Sequence, residues 1–231
     1  TLTSTTAFDM QAGTASANLA GAVGLDKTTA GTTTLSGTNT YTGTTTVSAG
    51  NLNLNSAGTA IAGNLTVAGG TATLQAADQI ADGKNVVVTS GTLDVASFND
   101  TVNGVQITGG TITGTTGALT STTAFDLQAG TVSAILGGTA GANKTTAGTV
   151  TLSKTNTYTG ATTVSAGTLT LGHATNTLAD ASTVVVSGGT LDLGGNADTV
   201  AGVQQTGGTI QNGTLTSTTA FDMQAGTASA N

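Results

Sequence analysis

A glycine followed by a small polar residue returns about every 19 positions along this entire chain. Twelve glycines mark the beat: Gly13, Gly31, Gly50, Gly70, Gly91, Gly110, Gly130, Gly148, Gly167, Gly189, Gly208 and Gly226. The steps between them are 18, 19, 20, 21, 19, 20, 18, 19, 22, 19 and 18 residues. A unit this short cannot bury its own apolar face. It must stack on its neighbours, which is the logic of a solenoid. The residue after the glycine is Thr in every step but one, where it is Asn51.

Each glycine serves as a ruler. The positions two and four after it hold aliphatic residues in 21 of 24 places, and the position between them is always polar, as in Leu52-Asn53-Leu54 and Leu191-Asp192-Leu193. Strict in–out–in alternation is the signature of a half-buried strand. Three residues before the glycine stand Met10, Val47, Val67, Val88, Ile107, Leu127, Val164, Val186 and Met223, so a second strand ends at each corner. The glycine itself fits a corner of positive φ, which is cheap only without a Cβ. The middle of each step varies most and is expected to carry a third, shorter strand and the looser turns.

This pattern predicts an all-β chain folded as a right-handed parallel β-helix, a β-solenoid of about 19 residues per coil. Step lengths of 18 to 22 residues suit tolerant loops and lack the six-residue rhythm of a left-handed hexapeptide helix. About eleven coils at roughly 4.8 Å each would advance about 53 Å. The core is expected at Leu35, Leu52, Leu54, Leu93, Leu169, Leu171, Leu191 and Leu193. Phe8, Phe125 and Phe221, each five residues before its glycine, are expected to stack inward with them.

Longer repeats overlie the short one. Residues 1–18 recur letter for letter as residues 214–231, and the phrase appears again at Thr120–Ala134. The chain therefore reads as one continuous solenoid over residues 1–231. Its half-repeats span about 13–129 (six coils) and 130–225 (five coils), and 214–231 restarts the repeat of 1–18. The coil missing from the second half corresponds to Gly50–Gly69, as interchangeable coils permit. Such a chain is expected to be a window on a longer tandem array.

Composition narrows the function. The net charge is −7 with four Lys, no Arg and no Glu, and Thr makes up 56 of 231 residues. So few cations argue against nucleic acid as a partner. No apolar run approaches membrane-spanning length. Thr, Ser, Gly and Ala richness also fits a disordered low-complexity segment, but the twelvefold alternation speaks against one.

Two stretches resemble the autotransporter-associated β-strand repeat. They are GTTTLSGTNTYTGTTTVSAGNLNLN, residues 31–55, and GTVTLSKTNTYTGATTVSAGTLTLG, residues 148–172. Asn39, Thr40, Tyr41, Gly43, Thr45, Val47, Gly50 and Leu52 match that repeat, as do Asn156, Thr157, Tyr158, Gly160, Val164, Gly167 and Leu169. Thr33 stands where Leu is usual, and Lys154 where Gly is usual. The resemblance implies the passenger region of a Gram-negative autotransporter or large adhesin, exported to the cell surface. There the motif serves folding and export rather than chemistry.

A search for catalytic groups finds only Asp, mostly in repeated pairs such as Asp94 with Asp192 and Asp100 with Asp198. A glycosidase needs two carboxylates facing one cleft. A pair that recurs in each half reads better as solvated surface charge. His173, the lone histidine, reads as a turn residue. Asp78, Asp82, Asp94 and Asp100 are weak calcium candidates. No catalytic residue and no cofactor are expected. Outward T-x-T pairs, such as Thr149/Thr151 and Thr168/Thr170, could form an ice-binding array, but Asp94, Asp192 and Gln211 interrupt it, and packed Thr ladders are the simpler reading. The expected function is a structural extracellular fibre or adhesin stalk, building a filament or matrix. Its expected partners are further copies of the repeat, covalent or end to end, and other fibres or surface glycans. A glycan-binding adhesin module is the alternative, and a polysaccharide-degrading β-helix is less favoured.

Overall fold

The structure, a computed structural model, describes residues 1–230. Among these there is no helix, and every strand pairing is parallel. Successive coils lie in register on one another, in about twelve turns.

Two faces carry most of the ladder. On the face before each corner, one inward column runs Phe8, Leu25, Thr45, Leu65, Val86, Val105, Phe125, Ala142, Thr162, Val184, Val203 and Phe221. Strand pairing is continuous along this face from Phe8 to Phe221 and leaves none of these coils unpaired. After the corner, Leu35, Leu54 and Leu74 form one inward column, and Val150, Leu169, Leu191 and Ile210 form another. Leu35, Leu52, Leu54, Leu93, Leu169, Leu171, Leu191 and Leu193 are all buried. Each such side chain contributes roughly 1.5–3 kcal/mol by leaving water. Alternation with period two sends the intervening Thr, Asn and Asp outward.

The glycine ruler slips at two corners. Ala15 pairs with Leu35 and Val132 with Leu152, two residues beyond the spacing that the glycines suggest. A slip of two keeps every side chain on its own face, whereas a slip of one would reverse them all. The glycines also serve two different purposes. Gly91 and seven others have positive φ, whereas Gly31, Gly70, Gly148 and Gly189 do not. These four are small because the coil below is close: a Cβ on Gly148 would lie 2.6 Å from the Gln128 carbonyl oxygen and 2.8 Å from Ala129 Cβ. The expectation of a left-handed corner at all twelve is corrected accordingly.

The third face is patchy rather than continuous. Regular pairing there joins Leu2–Thr3 with Leu19–Ala20, Asp100–Val102 with Leu119–Ser121, Ala118–Thr120 with Ile135–Gly137, and Ala197–Val200 with Thr214–Ser217. Elsewhere isolated bridges, single backbone hydrogen bonds and side chains together do the stitching.

Phe221 corrects another expectation. Phe8 and Phe125 are buried, but Phe221 is 49% exposed. No described coil rests on residues 214–230, so Phe221 and Met223 line an open apolar hollow with Ile210, Leu215, Ala228 and Ala230.

Candidate functional site

The interior holds polar groups where an aliphatic column would suffice. Lys27, Val47, Val67, Val88, Ile107 and Leu127 form one registered inward run, and Lys144, Val164, Val186, Gln205 and Met223 form the next. Lys27 and Lys144 are fully buried. The Lys27 ammonium donates to the carbonyl oxygens of Thr29 and, at 3.2 Å, Ala49. Lys144 repeats this with Thr146 and, at 3.3 Å, Ala166. Burial lowers the Lys144 pKa from its ordinary value, and the Asp126 charge partly offsets that. Each ammonium therefore ties the corner of its own coil to the corner of the next. Gln205 does the same in neutral form, donating to the Gly208 and Thr227 carbonyls at 3.1 and 3.0 Å.

The motif asparagines act on the third face. Asn39 Oδ1 accepts from the Leu19 amide at 2.8 Å, and its Nδ2 donates to the Ala60 carbonyl at 2.7 Å. Asn156 bridges Leu136 and Thr177 in the same way, at 2.9 and 2.8 Å. A side-chain amide thus replaces a missing strand rung and joins three successive coils. Gln79 continues the column, accepting from the Ser56 amide at 2.7 Å. The column ends on carboxylates. Asp100 Oδ2 accepts from the amides of Gln79 and Ile80 at 2.8 and 3.1 Å, and Asp198 Oδ2 from those of Thr177 and Leu178 at 2.7 and 3.1 Å. Asp100 and Asp198 are 1% exposed, which corrects their reading as surface charge. Burial pushes the Asp100 carboxyl up to about 7, despite the two amide bonds that oppose it. Asp198 is pushed up to about 6 for the same reason. The second oxygen of each has no hydrogen-bond partner among the described residues.

Tyr41 and Tyr158 are fully buried too. Their hydroxyls bond Thr45 Oγ1 and Thr162 Oγ1 at 2.6 and 2.8 Å, and burial raises both phenol pKa values. Thr45 and Thr162 stand in the inward column because a tyrosine hydroxyl reaches them there. The rings meet the preceding phenylalanines, Phe8 with Tyr41 edge-on at 6.2 Å and Phe125 with Tyr158 tilted at 5.9 Å. Thr33, in the place of a usual Leu, is buried with its hydroxyl unbonded.

The calcium candidates do not assemble. Asp78 and Asp82 are exposed, Asp94 spends Oδ1 on the Ala96 amide at 2.8 Å, and Asp100 faces inward. Among the described residues no group of three or more His, Cys, Asp or Glu side chains could hold a metal ion. His173 is half-buried and Nδ1 bonds the Thr175 carbonyl at 2.6 Å. The outward Thr residues form two registered columns, Thr71–Thr92–Thr111–Thr131–Thr151–Thr170 and Thr149–Thr168–Thr190–Thr209–Thr227. The two-residue slip after Val132 staggers them, and Asp192 and Gln211 extend the first.

Each set of buried Lys, Asn and Tyr falls within about one and a half coils, Leu25–Leu54 and Asn143–Leu171. The family model of the passenger-associated-transport-repeat matches residues 25–54, 143–171 and 165–193. Three stretches of the chain are thus similar to the passenger-associated-transport repeat. The first two matches each contain one Lys–Asn–Tyr set, and the third extends the second by one coil through Leu191 and Leu193. Matched residues make up about a third of the sequence. No curated protein and no solved structure matches the chain. The repeat and the solenoid together fit a passenger-type structural or adhesin region. The repeat family implies an exported cell-surface protein of Gram-negative bacteria.

Proposed function

We infer that this passenger-repeat region works mechanically, as a non-catalytic spacer or fibre that holds attached segments away from the cell surface. The observation that supports this reading is the unbroken parallel ladder from Phe8 to Phe221, in which each coil depends only on its two neighbours. Such a rod grows by about 4.8 Å per coil and tolerates insertion or loss of whole coils. The polar tethers serve the same end. Lys27, Lys144, Asn39 and Asn156 add side-chain bonds from coil to coil outside the two regular faces and at the corners, so a pull along the axis meets these bonds as well as the ladder. Its structural partners are further copies of the same repeat.

The test is a length series displayed on Gram-negative cells beneath an epitope tag. Removing the five-coil half, residues 130–225, should draw the tag inward by about 24 Å while the remaining coils stay folded. Loss of folding, or a tag height that ignores coil number, would refute the spacer role.

A further inference from the structure

Two shallow grooves on the outer face share one design. The first, of about 230 Å³, lies where the coils holding Val87, Gln106 and Asp126 meet; the second, of about 330 Å³, lies at Val185, Gln204 and Asp222. Eight of the nine residues lining the first are the same in the second, and Asn85, replaced by Thr183, is the exception. The surroundings drift far more. Asn103 becomes Ala201, Ile107 becomes Gln205 and Ala118 becomes Thr214.

The TSTTAFD phrase sharpens this contrast. Between Thr120–Ala134 and Thr216–Ala230 only two residues change, Leu127 to Met223 and Val132 to Ala228. Both belong to inward columns. Packing alone should hold the inside constant and let the outside vary, since surface changes away from special features cost little. Within this phrase the inside has varied and the outside has not.

The chemistry of the grooves is specific. Asp126 Oδ2 accepts from the side-chain amides of Gln106 at 2.6 Å and Gln128 at 2.9 Å, which clamp the carboxylate from both sides. Asp222 is held likewise by Gln204 at 2.9 Å and Gln224 at 3.0 Å. These bonds keep the carboxyl of Asp222 below its usual range, so it stays charged. Asp126 Oδ1, the amide oxygens and the remaining amide hydrogens stay available, giving a row that both accepts and donates. Beside it Gly104 and Ala124 leave a small apolar floor. A Cβ on Gly104 would crowd Thr123 Oγ1 at 3.0 Å and Asn85 Oδ1 at 3.1 Å, narrowing the groove.

We propose that these paired grooves bind a neutral, hydroxyl-rich polymer, a linear glycan lying along the rod. Sugar hydroxyls both donate and accept, as the amide–carboxylate–amide row requires, and a pyranose C–H face suits the apolar floor. An anionic glycan would meet a fixed carboxylate on a chain of net charge −7. The grooves lie on one face, five coils and about 24 Å apart, so one chain can occupy both and gain affinity through linkage. The proposal rests on the rod being exposed at the cell surface, as argued above.

The test uses the purified 231-residue chain. Linear glucans, mannans and galactans are titrated while the side-chain amide signals of Gln106, Gln128, Gln204 and Gln224 are followed by NMR, with heparin and polygalacturonate as anionic controls. At least one neutral polymer should shift all four. Asp126→Asn with Asp222→Asn should weaken binding about tenfold or more with unchanged thermal melting, and each single variant should retain the weaker, one-groove affinity. The proposal fails if no neutral polymer shifts these signals, if the anionic controls bind as well, or if the signals move with protein concentration alone, which would make the partner another copy of this chain. Such a failure would leave the spacer reading standing, because that reading is judged by tag height on cells.

Discussion

Asp100 and Asp198 give the account its most distinctive solution behaviour. In the unfolded chain both carboxyls titrate near 4. In the folded coil they are pushed up to about 7 and about 6 by burial, with Asp78 and Asp82 adding to the effect at Asp100, and Asp180 at Asp198. The folded state then binds these protons more tightly than the unfolded state. Stability should fall as pH rises from about 4 to about 7 and level off above, the reverse of the usual carboxylate case. At about 1.4 kcal/mol for each unit of separation, the upper bounds are about 4 kcal/mol for Asp100 and about 3 for Asp198. Relaxation and water entry reduce such figures, so about 2–4 kcal/mol for the two together is expected. The double substitution Asp100→Asn, Asp198→Asn keeps an oxygen for the two pairs of amides and removes the ionisation. Urea unfolding followed by circular dichroism at pH 4, 5, 6, 7 and 8 measures the difference. The native chain should lose stability across this range and the double variant should not. A native profile that is flat or rises between pH 4 and 7, or a double variant that keeps the slope, would refute the placement of these carboxyls in the core.

Other substitutions test the interior. Leu191→Asp puts an unpaired charge between Leu169 and Ile210 and should cost about 3 kcal/mol or more by chemical denaturation; an unchanged midpoint would contradict the register. Lys144→Met should cost only about 1 kcal/mol, because a flexible apolar chain fills the slot and removes a desolvated charge but leaves the Thr146 and Ala166 carbonyls unmet. Lys144→Ala should lose about 2 kcal/mol or more to the cavity, and equal midpoints for the two variants would show that the slot is not packed. Asn156→Ala should cost about 1–3 kcal/mol by leaving the Leu136 amide and Thr177 carbonyl unmet; a loss under about 0.5 kcal/mol would show that water replaces the bridge.

The ladder was legible because inward columns of Leu and Val alternate with polar residues at fixed distances from a glycine. The tethers were harder to see because their residue types point outward by habit. Leu25-Asp26-Lys27 alternates in, out, in, and Asp100-Thr101-Val102 does the same, yet Lys and Asp are rarely buried without partners. Their partners are backbone groups of neighbouring coils, which spacing along the chain does not name. Register counted from Phe8, rather than from the glycine, would have placed Lys27 inside, because Phe8 and Leu25 begin a column that never slips. The two-residue slips at Ala15 and Val132 escaped for a related reason: they conserve the alternation that served as the guide. The outer grooves join residues from three coils, and only the stacking brings Gln106, Asp126 and Val87 together.

The central claim is that each turn rests on the one beneath, and distances along one outward column test it most directly. Thr46, Thr66, Val87, Gln106, Asp126, Asn143, Thr163, Val185 and Gln204 follow one another coil by coil. The chain has no cysteine, so pairs of spin labels can be placed at will. With one label at Thr46→Cys and the second at Asp126→Cys, Thr163→Cys or Gln204→Cys, double electron–electron resonance should give about 19, 29 and 38 Å, rising by about 4.8 Å per coil. Distances that do not rise linearly with coil number, or that collapse to one broad distribution, would contradict it.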